Sequence, residues 1–137
     1  MKTKYLPVVL VFLGTCSSLW AADSPQKVGV SLTDHSITLD VATVKPGKVV
    51  FEITNGTDSK FEHEFVVLRS DLDPASLPVK DGKVEEGKVK NVGEVEGIHP
   101  GKVKRLTLTL KEGRYSIICN VTGHYGMGMN TALVVMK

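Results

Sequence analysis

The run Arg105-Leu-Thr-Leu-Thr-Leu110 alternates strictly between polar and apolar side chains, and this two-residue period constrains the chain more than any other feature. Successive side chains of an extended strand point to opposite faces, so such a run suits a half-buried strand and no helix. The same beat recurs at Val28, Val30 and Leu32, at Ile37 and Leu39, at Val49, Phe51 and Ile53, and at His63, Phe65 and Val67. Turn-forming residues separate these runs: Thr33-Asp34-His35, Lys45-Pro46-Gly47, Asn55-Gly56, His99-Pro100-Gly101 and Glu112-Gly113. Further strands are expected over residues 92–98, 114–119 and 132–136. Only Asp73-Pro74-Ala75-Ser76-Leu77 carries a helix start signal, enough for one turn. The expectation is an all-β domain, a Greek-key β-sandwich or barrel of about seven to eight strands. Residues 70–91 are its least organised stretch.

The N-terminus reads differently. Lys2 and Lys4 precede an apolar stretch over residues 5–13, and Ala21-Ala22-Asp23 closes the segment as a secretory signal closes. Residues 1–22 are therefore expected to be a signal peptide and 23–137 the mature domain, exported to the periplasm. The apolar stretch falls short of the roughly 20 residues of a membrane span, so no integral membrane segment is expected after cleavage. Leu13-Gly14-Thr15-Cys16 offers a rival reading, with Cys16 as a lipid anchor. The chain has 17 Lys and Arg against 15 Asp and Glu. Loss of Lys2 and Lys4 makes the two counts equal, and a neutral domain has no electrostatic reason to bind nucleic acid or an anionic surface.

Cleavage leaves one cysteine, Cys119, and an odd cysteine in an exported protein is reactive or committed to another bond. It opens the segment Cys119-Asn-Val-Thr-Gly-His124-Tyr-Gly-Met-Gly-Met129, which puts a thiol, an imidazole and a thioether in one loop. Strand parity turns Tyr115, Ile117 and Cys119 to one face, and His63 inward with Phe65 and Val67. One Cys, two His and a weakly donating Met select copper in a trigonal electron-transfer site. The two segments meet if their strands are neighbours.

These motifs resemble the cupredoxins, the small blue copper proteins. The spacing Cys119-x4-His124-x4-Met129 is similar to rusticyanin- and sulfocyanin-like loops. The half His124-Tyr125-Gly-Met127-Gly-Met129 is similar to pseudoazurin, and Gly113-Arg-Tyr115 is similar to the lead-in before the family's Cys. The resemblance implies one copper ion, with His63, Cys119 and His124 as strong ligands and Met129 as the weak axial one. Met127 is the alternative axial ligand. It also implies Glu64 and Asn120 as neighbours that tune the ligands, and an electron-exit surface at Gly123, Tyr125 and Gly126 around His124. Two departures stand out. Glu64 follows His63 where the family often has Asn, and Thr122 stands where similar loops often have Pro, which implies a less rigid loop.

Other candidates weigh less. His35 and His99 lie in polar turns and are expected to be exposed, as are Glu62 and Glu64. Asn55-Gly-Thr57 and Asn120-Val-Thr122 match glycosylation acceptors, but a glycan on Asn120 would crowd the loop. The expected function is a monomeric periplasmic carrier of single electrons between transient redox partners, not an enzyme. The alternative is a copper chaperone, buffer or assembly factor. A catalytic copper protein would need a second metal site, for which only His35 and His99 remain.

Overall fold

The computed structural model describes residues 24–137. The expected signal segment 1–22, with Cys16, lies outside them. Eleven strands form in chain order: β1 Gln26–Leu32, β2 Ile37–Leu39, β3 Thr43–Val44, β4 Gly47–Asn55, β5 His63–Arg69, β6 Val79–Lys80, β7 Lys83–Val84, β8 Lys90–Ile98, β9 Val103–Leu110, β10 Gly113–Ile118 and β11 Asn130–Val135. Eight have three residues or more, which matches the expected strand count. Among the described residues helical structure is confined to three single 3₁₀ turns, one of them Pro74–Ser76. There Asp73 accepts from the Ala75 N–H at 2.8 Å, as its N-cap position demands.

The strands build two sheets, in the orders β2-β1-β4-β9 and β3-β11-β10-β5-β8, with β6-β7 as a separate hairpin. The chain changes sheet repeatedly, so β1 meets β4 and β3 meets β11 in parallel while the other pairs are antiparallel. The alternating apolar residues face inward between the sheets. Val28, Val30, Leu32, Val49, Phe51 and Ile53 from the first sheet pack on Phe65, Val67, Ile117, Leu133 and Val135 from the second. The Phe51 and Phe65 rings meet across the gap with centroids 5.2 Å apart. At one edge the sheets close tightly: a Cβ on Gly93 would fall 2.5 Å from Leu108 Cδ2, so a larger residue there would force the Leu108 side chain aside.

Residues 70–91 are more ordered than their composition suggests. Leu77 and Val84 are buried with Val66, Leu68, Ile118 and Tyr125, and Val89 packs alongside. This segment covers the outer face of β5, where Val66 and Leu68 lie, together with Ile118 at the end of β10, which is why both faces of β5 are apolar.

Candidate metal centre

β5 and β10 are paired antiparallel, with Val66 opposite Ile118 and Val67 opposite Ile117. His63 begins β5, and Cys119 follows directly on β10. One ladder therefore brings together two residues 56 positions apart, and the inward parity read from the sequence holds for both. His63 and Cys119 are fully buried and His124 is 6 % exposed.

The donor atoms converge. His63 Nδ1 and His124 Nδ1 are 3.1 Å apart. Cys119 Sγ lies 3.7 Å from the first and 3.5 Å from the second. A point about 2.0 Å from all three corners of that triangle exists, close to the roughly 2.0–2.3 Å of ordinary metal bonds to imidazole nitrogen and thiolate sulfur. The donor set is soft on one side and imidazole on two, which suits copper. Among the described residues this is the one such cluster of His, Cys, Asp and Glu.

The loop between β10 and β11 is shaped from within. Residues Tyr125–Met127 make a 3₁₀ turn, and Gly128 reverses the chain with φ at 102°. The Cys119 N–H then donates to the Met129 carbonyl at 3.1 Å. Met129 is fully buried in the same core cluster as Cys119, whereas Met127 is 45 % exposed.

The loop is also held from outside. Gly123 N–H donates to the Gly82 carbonyl at 2.9 Å. Asn120 accepts from Val84 N–H at 2.8 Å and donates to the Val84 carbonyl and to Glu86 Oε1. Tyr125 Oη donates to the Pro74 carbonyl at 2.7 Å and accepts from Leu77 N–H at 2.9 Å. These bonds supply a restraint on the loop that Thr122, standing where similar loops have Pro, does not.

Tyr125 requires a correction. It is buried at 6 % exposure beneath the loop, so of the three residues assigned to an exit surface only Gly123 and Gly126 are exposed. Phe61, which had no expected role, lies beside His124 instead. It is 47 % exposed, and its ring centroid lies 5.7 Å from that of His124. The available signal was an aromatic residue that no strand pattern required, two positions before the first candidate ligand.

Glu62 is exposed as expected, and Glu64 is half-buried. Burial pushes the Glu64 carboxyl above the usual carboxylate range, although nearby Lys83 pulls it back. Its backbone N–H donates to Cys119 Sγ at 3.3 Å, so the main chain meets the sulfur whatever side chain follows His63. Asn120, by contrast, is engaged with the hairpin. His35 and His99 are exposed. Asn55 and Asn120 are buried and their amides donate inside the fold, which closes both glycosylation motifs in the folded domain.

The family described as Cupredoxin-like domain matches residues 6–135. The chain belongs to that family, and its donor set supports one copper ion. The fold is similar to reduced rusticyanin, at 20% identity over 80% of this chain and 78% of that one, with a TM-score of 0.59. It is likewise similar to reduced auracyanin from Roseiflexus castenholzii, at 19% identity over 82% of this chain and 98% of that one, with a TM-score of 0.57. Auracyanin A of Chloroflexus aurantiacus, described as a "blue" copper protein, matches at 19% identity over 82% of this chain and 99% of that one, also with a TM-score of 0.57. A search of the curated proteins returned no match.

Proposed function

We propose that the protein is a periplasmic carrier of single electrons, exported by the signal at residues 1–22. His63, Cys119 and His124 are its strong copper ligands and Met129 its axial one. The observation that carries the reading is the triangle of donor atoms at 3.1, 3.5 and 3.7 Å, drawn from two strand ends and a loop. Bound copper supplies a one-electron couple between Cu(I) and Cu(II). The protein's part is to keep the donors still, because a site that hardly rearranges exchanges electrons quickly. Burial of all three donors and the bonds around the loop serve that end. His124 turns Nδ1 toward the other donors, the Phe61 ring packs beside it, and the exposed Gly123 and Gly126 neighbour it in the loop. These small or apolar groups suit the brief, small contacts of redox partners. Buried ligands favour retention of the metal over delivery, which sets the carrier above a chaperone, and no enzymatic step is assigned to the site.

Addition of Cu(II) to the purified protein is expected to give an intense visible thiolate-to-copper band and a matching electron paramagnetic spectrum. Cys119→Ser should abolish the band. Met129→Leu should keep the band and shift the reduction potential, while Met127→Leu leaves both. A band that survives loss of Cys119 would falsify the ligand assignment. Rapid loss of metal to a modest Cu(I) chelator would instead favour the chaperone.

A further inference from the structure

Two side chains outside the donor triangle converge on the far nitrogen of His63. Its Nδ1 faces Cys119 and His124. Nε2 lies 3.2 Å from Ser59 Oγ, and Ser59 Oγ lies 2.6 Å from Asp34 Oδ1. Nε2 itself is 3.8 Å from that carboxylate oxygen. The carboxylate is fixed in place by Lys60 N–H, which approaches Oδ1 at 3.0 Å and Oδ2 at 3.3 Å.

The direction of each bond follows from what the groups can offer. An ionised carboxylate only accepts, so the single hydroxyl proton of Ser59 goes to Asp34. The length of 2.6 Å is typical of a hydroxyl donating to a carboxylate, about 2.5–2.7 Å. The Phe61 carbonyl, at 3.2 Å from Ser59 Oγ, is the weaker acceptor. With its proton committed, Ser59 presents His63 with lone pairs alone. The imidazole must then donate from Nε2, and Nδ1 keeps its lone pair toward Cys119 and His124.

We infer that Asp34 and Ser59 form a positioning relay that holds His63 in its Nε2–H tautomer with the Nδ1 lone pair aimed into the donor triangle. His63 is fully buried, so no solvent competes for Nε2. The hydrogen bond made by one ring nitrogen sets what the other can bind, and such partners of a ligating His raise its basicity. The two residues come from separate turns. Asp34 sits between β1 and β2, where Thr33 N–H donates to the Ser36 carbonyl at 3.0 Å and the Thr33 and Ser36 hydroxyls are 2.7 Å apart. Ser59 sits between β4 and β5, with its N–H on the Gly56 carbonyl at 3.2 Å. Through this relay a turn of the first sheet and the connection between the sheets hold the first ligand of the second sheet. A carboxylate acting through a hydroxyl also makes the ring a better donor and favours the higher oxidation state of the metal.

The part of this inference that concerns copper rests on the carrier reading, and the test separates the two. In the metal-free protein, long-range proton–nitrogen spectra should show His63 protonated at Nε2 and bare at Nδ1. Ser59→Ala should populate both tautomers, and Ser59→Thr, which keeps the hydroxyl, should restore the single one. In the copper-loaded protein, Ser59→Ala should weaken Cu(II) affinity by roughly 10- to 100-fold and raise the reduction potential, with Ser59→Thr restoring both. A folded Ser59→Ala protein with unchanged tautomer, affinity and potential overturns the relay. If that variant fails to fold, Asp34→Asn carries the test, since it keeps the side chain's shape and removes its charge. A raised potential then supports the relay and an unchanged one overturns it. Failure of the unaltered protein to take up copper would count against the carrier and leave the tautomer measurement as the relay's own test.

Discussion

His63, Cys119 and His124 have exchanged water for protein on nearly every side, and each proton they carry responds. Burial pushes the Cys119 thiol up, despite the N–H groups of Glu64 and Val121 pulling it down, so the metal-free thiol is protonated at neutral pH. Burial also holds both imidazoles below their ordinary 6.5; the neighbouring His124 adds to this at His63, and Asp34 opposes it at both. Both rings are therefore neutral at pH 7.5, and a metal-bound Cys is deprotonated. Copper uptake at that pH should release about one proton per ion, from Cys119, which an indicator in weak buffer will read. Release of none would contradict a thiolate ligand. The same shifts bear on stability. An imidazole whose folded pKa is depressed contributes stability that is fully present above the unfolded value. That stability is lost as the pH falls from there through the folded one. The denaturation midpoint of the metal-free protein should accordingly fall below about pH 6.5, and the loss should be smaller in a His63→Gln variant that folds. At this scale the three converging donors His63, Cys119 and His124 were legible, because few residue types hold copper and their spacing is distinctive. Ser59 and Asp34 were not, since a serine and an aspartate in turns look alike whether they face water or a buried ring.

Among the elements, β5 shows where alternation misleads. Its run Phe65-Val66-Val67-Leu68 is apolar without a break, the mark of a strand buried on both faces. That run implied a cover on the outer side, yet the covering segment could not be recognised from its own composition. Lys, Asp and Glu dominate residues 80–96, and the cover reaches the outer face of β5 through Leu77, Val84 and Val89. The strands themselves were readable because a two-residue period is a local property, whereas a cover is defined by what lies beneath it. Tyr125 joins this cover to the metal loop. Tyr125→Phe would leave the buried N–H of Leu77 without its acceptor, at a cost of about 1–3 kcal/mol. The expected outcome is a lower unfolding midpoint and faster amide hydrogen exchange at Leu77 and Gly123, with the visible band kept. Unchanged exchange at Gly123 would show that the cover does not restrain the loop.

For the molecule as a whole, the two-sheet arrangement followed from the alternating runs, but the pairing of β5 with β10 did not. No local pattern states which strands become neighbours. Copper bound only by the folded state adds RT ln(1 + [L]/Kd), about 4 kcal/mol at a thousandfold excess over Kd. The copper-loaded protein should therefore melt at a higher temperature than the metal-free one, with the difference growing as free copper rises, as calorimetry can measure. An identical melting temperature at saturation would exclude selective binding to the folded form. The three clustered donors are divided by the hairpin tip at Asp81-Gly82: His63 lies before it, and Cys119 and His124 lie after it. Severed there, the polypeptide would leave each half with too few donors to hold copper as the folded domain does, and metal binding would return only where the two pieces find each other, so this domain carries the parts of a complementation reporter.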